Sequence, residues 1–240
     1  IFKFLCIILS EDFMDRKKLV VFDVAGTTVQ DDDIVLKAFV GAFDRFGVNP
    51  SQVEVNAVMG MAKKTAIGQV LATHNSKVPV DRVYNEFMKL MTAAYREGPL
   101  QEIPGASDVF RKLKSVGYHV ALDTGFPRVI LDIVLDKTGW SKEKLVDATI
   151  ASDEVSAGRP YPYMIFNLMT DLRISRTEDV TKVGDTLVDV EEGLAAGCGL
   201  VVGVTSGTCT TEDFTGSGLT DFVILPDVTR LPKLMKLDGE

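Results

Sequence analysis

The sequence predicts an α/β fold: a parallel sheet covered by helices on both faces, with an all-helical region inserted after the first strand. Three observations predict it. Short β-rich runs end on polar or glycine residues, helical periodicity separates the later runs, and strands vanish between about residues 33 and 100.

The first run, "KLVVFD" (18–23), is an apolar strand that stops at the carboxylate of Asp23. The next segments, "DIVLKAFVGAFDRFG", "MAKKTAIGQVLATH" and "PVDRVYNEFMKLMTAAYREG", carry amphipathic helical spacing and no strand pattern. A helix over "ASDVFRKLKSVG", with Val109, Phe110, Leu113 and Val116 at near-3.6 spacing, leads into the strand "YHVALDT" (118–124). The helical runs "PRVILDIVLDKTG" and "VDVEEGLAAG" each stop at a glycine, as helices commonly do. Strands are expected over "DATIAS" (147–152), "VTKVGD" (180–185), "GLVVGVT" (199–205) and "DFVIL" (221–225). This organisation divides the chain into a core of 14–32 and 101–240, a helical cap of 33–100, and an N-terminal extension of 1–13. The extension opens on "IFKFLCIILS", an apolar run too short to span a bilayer, and the functional domain is expected to start near Met14.

Composition narrows the function. The chain has 240 residues, 46% of them hydrophobic and 25% charged, with a formal net charge of −8 and no Lys/Arg block. Nucleic-acid binding needs a basic footprint and is not expected; nor is a membrane partner. Three scattered cysteines (Cys6, Cys198, Cys209) without CxxC spacing read as reduced thiols in a cytoplasmic protein. With only His74 and His119 available, a histidine-built metal centre or triad has almost no supply.

Chemistry gathers at three strand ends. Asp23 ends the first strand, Thr124-Gly125 ends another, and Gly184-Asp185 ends a third, with Asp189 four residues on. In a parallel sheet these ends lie along one edge, where ligands of open α/β sheets bind. Singly, Asp185 and Asp189 read as decoration of a helix N-terminus. Jointly with Asp23 they form a costly cluster of acids unless a cation sits among them, and an oxygen-only set suits Mg²⁺ shared with a phosphate.

The ordered segments "FDVAGTT", "DTGF", "AGRPYP" and "KVGDTLVDVEEGLAAG" resemble the haloacid dehalogenase superfamily, and within it the phosphonatase branch, from Met14 to about Val204. The resemblance implies a Rossmann-like core and a helical cap. It implies that Asp23 attacks phosphorus to form an aspartyl phosphate, and that Mg²⁺ is held by Asp23, the Ala25 carbonyl and Asp185, with Asp189 nearby. Thr124 and the Gly125 N–H would bind phosphoryl oxygens, Thr27 and Gly60 would contact substrate, and Arg159 would supply fixed positive charge. Most phosphatases of the superfamily resemble Asp-x-Asp, the second acid protonating the leaving oxygen; here that place is Ala25. Phosphonatase-type enzymes use a cap lysine as a Schiff base instead, and "MGMAKK" puts Lys63 at that position. A helix starting near Gly60 would lower its pKa through the helix dipole. Viewed alone, "AKKT" reads as a solvated cationic first turn.

The sequence also departs from the branch: Ala66 stands where it has a His, Phe126 where it has a Tyr, and no Cys comes soon after the first motif. The expectation is therefore a Mg²⁺-dependent hydrolase of a small phosphonated or phosphorylated metabolite, such as phosphonoacetaldehyde or a related compound, forming a homodimer through its cap. The alternatives are a phosphomonoester phosphatase of the phosphoglycolate-phosphatase type and, behind it, a slow phospho-ligand-binding protein. Dehalogenation, which does not need the metal-site acids, stands last.

Overall fold

A computed structural model describes residues 17–30, 33–58 and 61–237. The expected extension 1–13 and the candidate Gly60 lie outside the described residues.

Six parallel strands form one sheet in the order β3-β2-β1-β4-β5-β6: β1 Lys18–Phe22, β2 Tyr118–Thr124, β3 Ala148–Ala151, β4 Val180–Gly184, β5 Leu200–Val204 and β6 Val223–Leu225. β1, an apolar run buried from Leu19 onward, occupies the centre, as expected of a strand covered on both faces. Side chains alternate between the two faces. Val20, Phe22, Val120 and Leu122 pack with α5 (Ala106–Ser115) and α6 (Arg128–Thr138). Leu19, Val21 and Ala121 pack with α7 (Tyr163–Leu172) and Ala196 of α8 (Leu187–Ala196). The glycines expected to stop α6 and α8 do so, Gly139 at φ 73° and Gly197 at φ 72°. Two short helices, α9 (Thr211–Gly216) and α10 (Leu231–Leu234), complete the carboxyl-terminal part.

Between β1 and α5 the described residues form four helices and, apart from isolated bridges at Ala25, Val29 and Glu102, no strand: α1 Ile34–Asp44, α2 Gln52–Asn56, α3 Lys63–Thr73 and α4 Val80–Glu97. The buried stripe of α4 is Val83, Phe87, Met91 and Tyr95, one residue per turn. It meets the Phe39 face of α1, with Phe39 and Phe87 edge-to-face at 5.9 Å. Ser51 and Glu54 close a capping box on α2. At the end of α4, Tyr95 stands edge-on to Phe126, in the loop after β2, at 5.5 Å. The helical segment therefore reaches the carboxyl edge of the sheet. Among the described residues no helix is long and apolar enough to cross a membrane.

Candidate active site

Strand register decides which acids meet. β1 pairs with β2 so that Phe22 faces Leu122, and with β4 so that Phe22 faces Val183 and Val21 faces Lys182. One step further along, Asp23 comes level with Asp123, on the sheet face that already carries Val21, Ala121 and Lys182. A parallel pair keeps side chains of the same register on the same face. Asp23 is held there by its N–H, which donates to Val183 O at 2.9 Å. Thr28 Oγ1 ties the adjoining turn by donating to Asp23 O at 3.0 Å.

Beyond the turn, two glycines cradle Asp185. A Cβ on Gly26, which sits at φ 81°, would fall 2.4 Å from Asp185 Oδ2, and one on Gly207 would fall 2.1 Å from it. Thr27 Oγ1 donates to Asp185 Oδ1 (3.1 Å) and the Thr208 N–H donates to Oδ2 (2.7 Å). Asp189 belongs to the capping box that opens α8, its Oδ2 accepting from the Thr186 N–H at 3.2 Å and from the Thr186 hydroxyl.

Arg159 runs in from the loop before α7, 4% exposed. Its Nη1 meets Asp23 Oδ1 at 2.6 Å and lies 2.7 Å from Asp189 Oδ1; Nη2 donates to the backbone and side-chain oxygens of Asp123; Nε donates to Glu192 Oε2 at 3.1 Å. Lys182 Nζ pairs with Asp123 Oδ1, with Glu192 Oε2 at 3.0 Å and with Asp189 Oδ1 at 3.2 Å. All these groups are buried.

The acids divide by their partners. Burial pushes the Asp23 carboxyl up to about 6, against the pull of Arg159 and with the push of Asp189. Burial drives Asp185 well above the carboxylate range, and the Asp23 and Asp189 charges drive it further. Among the described residues no cation lies within ion-pair distance of Asp185. Asp123 resolves oppositely: burial would raise it, but Arg159 and Lys182 together bring it down to about 2. Two buried oxygens, Asp123 Oδ2 and Glu192 Oε1, have no hydrogen-bond partner among the described residues, and one O–H on Glu192 shared with Asp123 satisfies both. Burial and then Asp123 lift the Glu192 carboxyl well above its ordinary value, in the same direction. Burial and Arg159 oppose the Lys182 ammonium, yet its acidic neighbours, Asp123 first, lift it above its ordinary value.

This arrangement fits a divalent cation. Asp23, Asp185 and Asp189 line one cleft as buried carboxylates; Asp189 Oδ1 faces Arg159 Nη1 at 2.7 Å and Lys182 Nζ at 3.2 Å, while Asp185 has no counter-charge in reach among the described residues. Among the described residues, the acids whose oxygens all lie within 4.8 Å of one another are a different trio, Asp23, Asp123 and Asp189. There Arg159 and Lys182 already occupy the role of the cation.

A small cleft of about 40 Å³ opens over these groups. Eight sequence candidates line it: Asp23, Ala25, Lys63, Thr124, Gly125, Arg159, Asp185 and Asp189, joined by Val35, Phe126, Thr186 and Thr208. Thr27 does not line the cleft; it stands behind Asp185 as a hydrogen-bond donor. Lys63 is 4% exposed and is the first residue of α3. The helix thus begins three residues later than the expected start near Gly60. Lys64, its neighbour, turns outward to Asp81 (2.8 Å). Sequence reasoning missed Asp123, Lys182 and Glu192. The signal for Asp123 was a shared ending, an apolar run closing on aspartate, "VFD" beside β1 and "ALD" on β2.

Comparison with known proteins agrees with the fold. The profile of the haloacid dehalogenase-like hydrolases matches residues 20–203. A phosphonoacetaldehyde hydrolase of Paraburkholderia phytofirmans is 31% identical over 214 residues, covering 81% of this chain and 77% of that protein. Among solved structures, a phosphonoacetaldehyde hydrolase-like protein from Oleispira antarctica superposes with TM-score 0.79 at 23% identity, covering 93% of this chain and 95% of that one. A predicted phosphoglycolate phosphatase from Haemophilus somnus superposes with TM-score 0.71 at 20% identity, covering 92% and 99%.

Proposed function

The chain belongs to the haloacid dehalogenase-like hydrolase family, and from that premise we propose that it releases phosphate from a small phosphonate bearing a carbonyl group, with Asp23 as nucleophile and Lys63 as the electron sink. The observation that carries this reading is that Lys63 and Asp23, both buried, line one cleft in which Ala25 takes the place of a second acid.

Without an acid beside the nucleophile, an alkoxide leaving group lacks protonation, an aid worth about 10²–10⁴-fold in rate. A lysine removes the need. The Lys63 amine condenses with the substrate carbonyl, losing water, to give a cationic imine. An Asp23 oxygen attacks phosphorus, the P–C bond breaks, and its electron pair passes into the imine as an enamine. Water then hydrolyses the aspartyl phosphate, releasing phosphate and restoring Asp23; protonation and hydrolysis of the enamine free Lys63 and the carbonyl product. Thr124 and Gly125 bind the phosphoryl oxygens, and Arg159 holds the nucleophile. Mg²⁺ would be held by Asp23, Asp185, Asp189 and the Ala25 carbonyl, and when bound supplies positive charge to the phosphoryl group. Helices α1 to α4 serve as the cap that excludes water from the cleft.

The reading is tested by incubating the protein with phosphonoacetaldehyde and borohydride and locating the reduced adduct by peptide mass spectrometry. It predicts an adduct on Lys63 and none in Lys63→Met. Absence of the adduct, with turnover of ordinary phosphate esters, overturns it and favours a second reading, a phosphomonoesterase. One observation favours that second reading: beside Lys63, the described cleft-lining residues titrate only as the three acids and Arg159, with Ala66 and Phe126 offering no proton to imine chemistry.

A further inference from the structure

Four buried ionisable side chains from four different elements form a closed ring beneath Asp23. Arg159 binds Asp123, Asp123 binds Lys182, Lys182 binds Glu192 at 3.0 Å, and Glu192 binds Arg159 at 3.1 Å. Buried ion pairs are weak contributors to stability, and well-packed apolar side chains of similar volume often do as well. What such a ring supplies that apolar packing does not is orientation. Asp123 grips Nη2 at two points, with its side-chain Oδ1 and its backbone oxygen (2.9 Å), which fixes the plane of the guanidinium. Glu192 fixes Nε. The one edge of Arg159 that leaves the ring is Nη1, and it meets Asp23 Oδ1 at 2.6 Å and Asp189 Oδ1 at 2.7 Å.

We propose that Asp123 is a positioning residue for the hydrolytic reaction, acting with Glu192 and Lys182 to set Arg159 so that Nη1 fixes one oxygen of Asp23 and leaves the other for phosphorus. The inference rests on the reading of Asp23 as nucleophile. Glu192 acts as a neutral acid in the ring: it donates to Asp123 and accepts from Arg159 and Lys182. A glutamine reproduces that pattern; a methionine of similar size does not.

The test uses the full chain with Mg²⁺ and para-nitrophenyl phosphate, and beryllium fluoride binding by calorimetry as a readout independent of turnover, in Asp123→Asn, Glu192→Gln and Glu192→Met. Asp123→Asn should lower kcat about 10- to 100-fold, the scale of a group that orients a catalytic residue, and weaken beryllium fluoride binding in parallel. KM should move less than about threefold, because the lost interaction acts on the nucleophile rather than on ground-state binding. Glu192→Met should behave like Asp123→Asn, while Glu192→Gln stays within about threefold of wild type. The proposal is overturned if folded Asp123→Asn keeps wild-type kcat, or if Glu192→Gln falls as far as Glu192→Met. Where Asp123→Asn does not fold, the Glu192 pair decides; loss of fold in both Asp123→Asn and Glu192→Met assigns the ring to stability and also overturns it. A wild-type protein with neither turnover nor Asp23-dependent beryllium fluoride binding instead defeats the reading of Asp23 itself.

Discussion

Asp123 lies near the end of β2 and Asp185 just past the end of β4, the two strands that flank β1; both are almost wholly buried, and they have opposite electrostatic fates. Asp123 has two protein cations and is held down to about 2. Asp185 has acids for neighbours and is driven well above the carboxylate range, by burial first. Burial alone therefore does not say what a carboxylate is for; its counter-charges do. The acid that the protein has neutralised itself belongs to the scaffold of the site. The acid left without a protein cation is the one suited to a ligand of opposite charge.

Substitutions sharpen or break this comparison. The largest effect belongs to the residue both sets surround: Asp23→Asn should lower turnover by more than about 10⁴-fold, the scale of removing a nucleophile, with the fold intact by circular dichroism. Next come the two acids themselves, with opposite signs. Asp123→Asn leaves Arg159 and Lys182 short of a carboxylate and should destabilise the metal-free protein by roughly 3–5 kcal/mol in denaturant titration. Asp185→Asn relieves carboxylate repulsion and should raise the melting temperature of the metal-free protein while abolishing the further rise with Mg²⁺. Equal destabilisation by both would break the distinction.

Smaller still is the effect of Gly207→Ala, whose methyl group would fall 2.1 Å from Asp185 Oδ2. It should weaken Mg²⁺ binding by about 10- to 100-fold in calorimetry, because the cradle orients the carboxylate. The smallest contrast separates two adjacent lysines. Lys64, exposed and paired with Asp81, should leave both the melting temperature and carbonyl trapping essentially unchanged when replaced by alanine, whereas Lys63→Met should abolish trapping.

The sequence made one half of this comparison legible. Asp23, Asp185 and Asp189 stand at strand ends or four residues beyond, so their meeting comes from parallel topology alone. The other half depends on register and rotation, which a linear reading does not hold. Asp123 sits inside "YHVALDT", and its importance appears only when β1 and β2 align Phe22 with Leu122. Lys182 reads as a strand residue, and of the neighbours Glu191 and Glu192 only the second turns inward. Helix α7 escaped for a related reason. Its buried face is Met164, Ile165, Leu168 and Met169, but Tyr163 and Phe166 are exposed, which blurs the apolar period.

The central claim, that Asp23 carries the phosphoryl group, is tested most directly by quenching the wild-type protein with acid during turnover with Mg²⁺ and reducing it with borohydride, which converts an aspartyl phosphate to homoserine with release of phosphate. Peptide mass spectrometry should then find homoserine at position 23, in an amount that rises with turnover and vanishes without substrate. Turnover without any homoserine, or homoserine only at Asp185 or Asp189, would contradict the account.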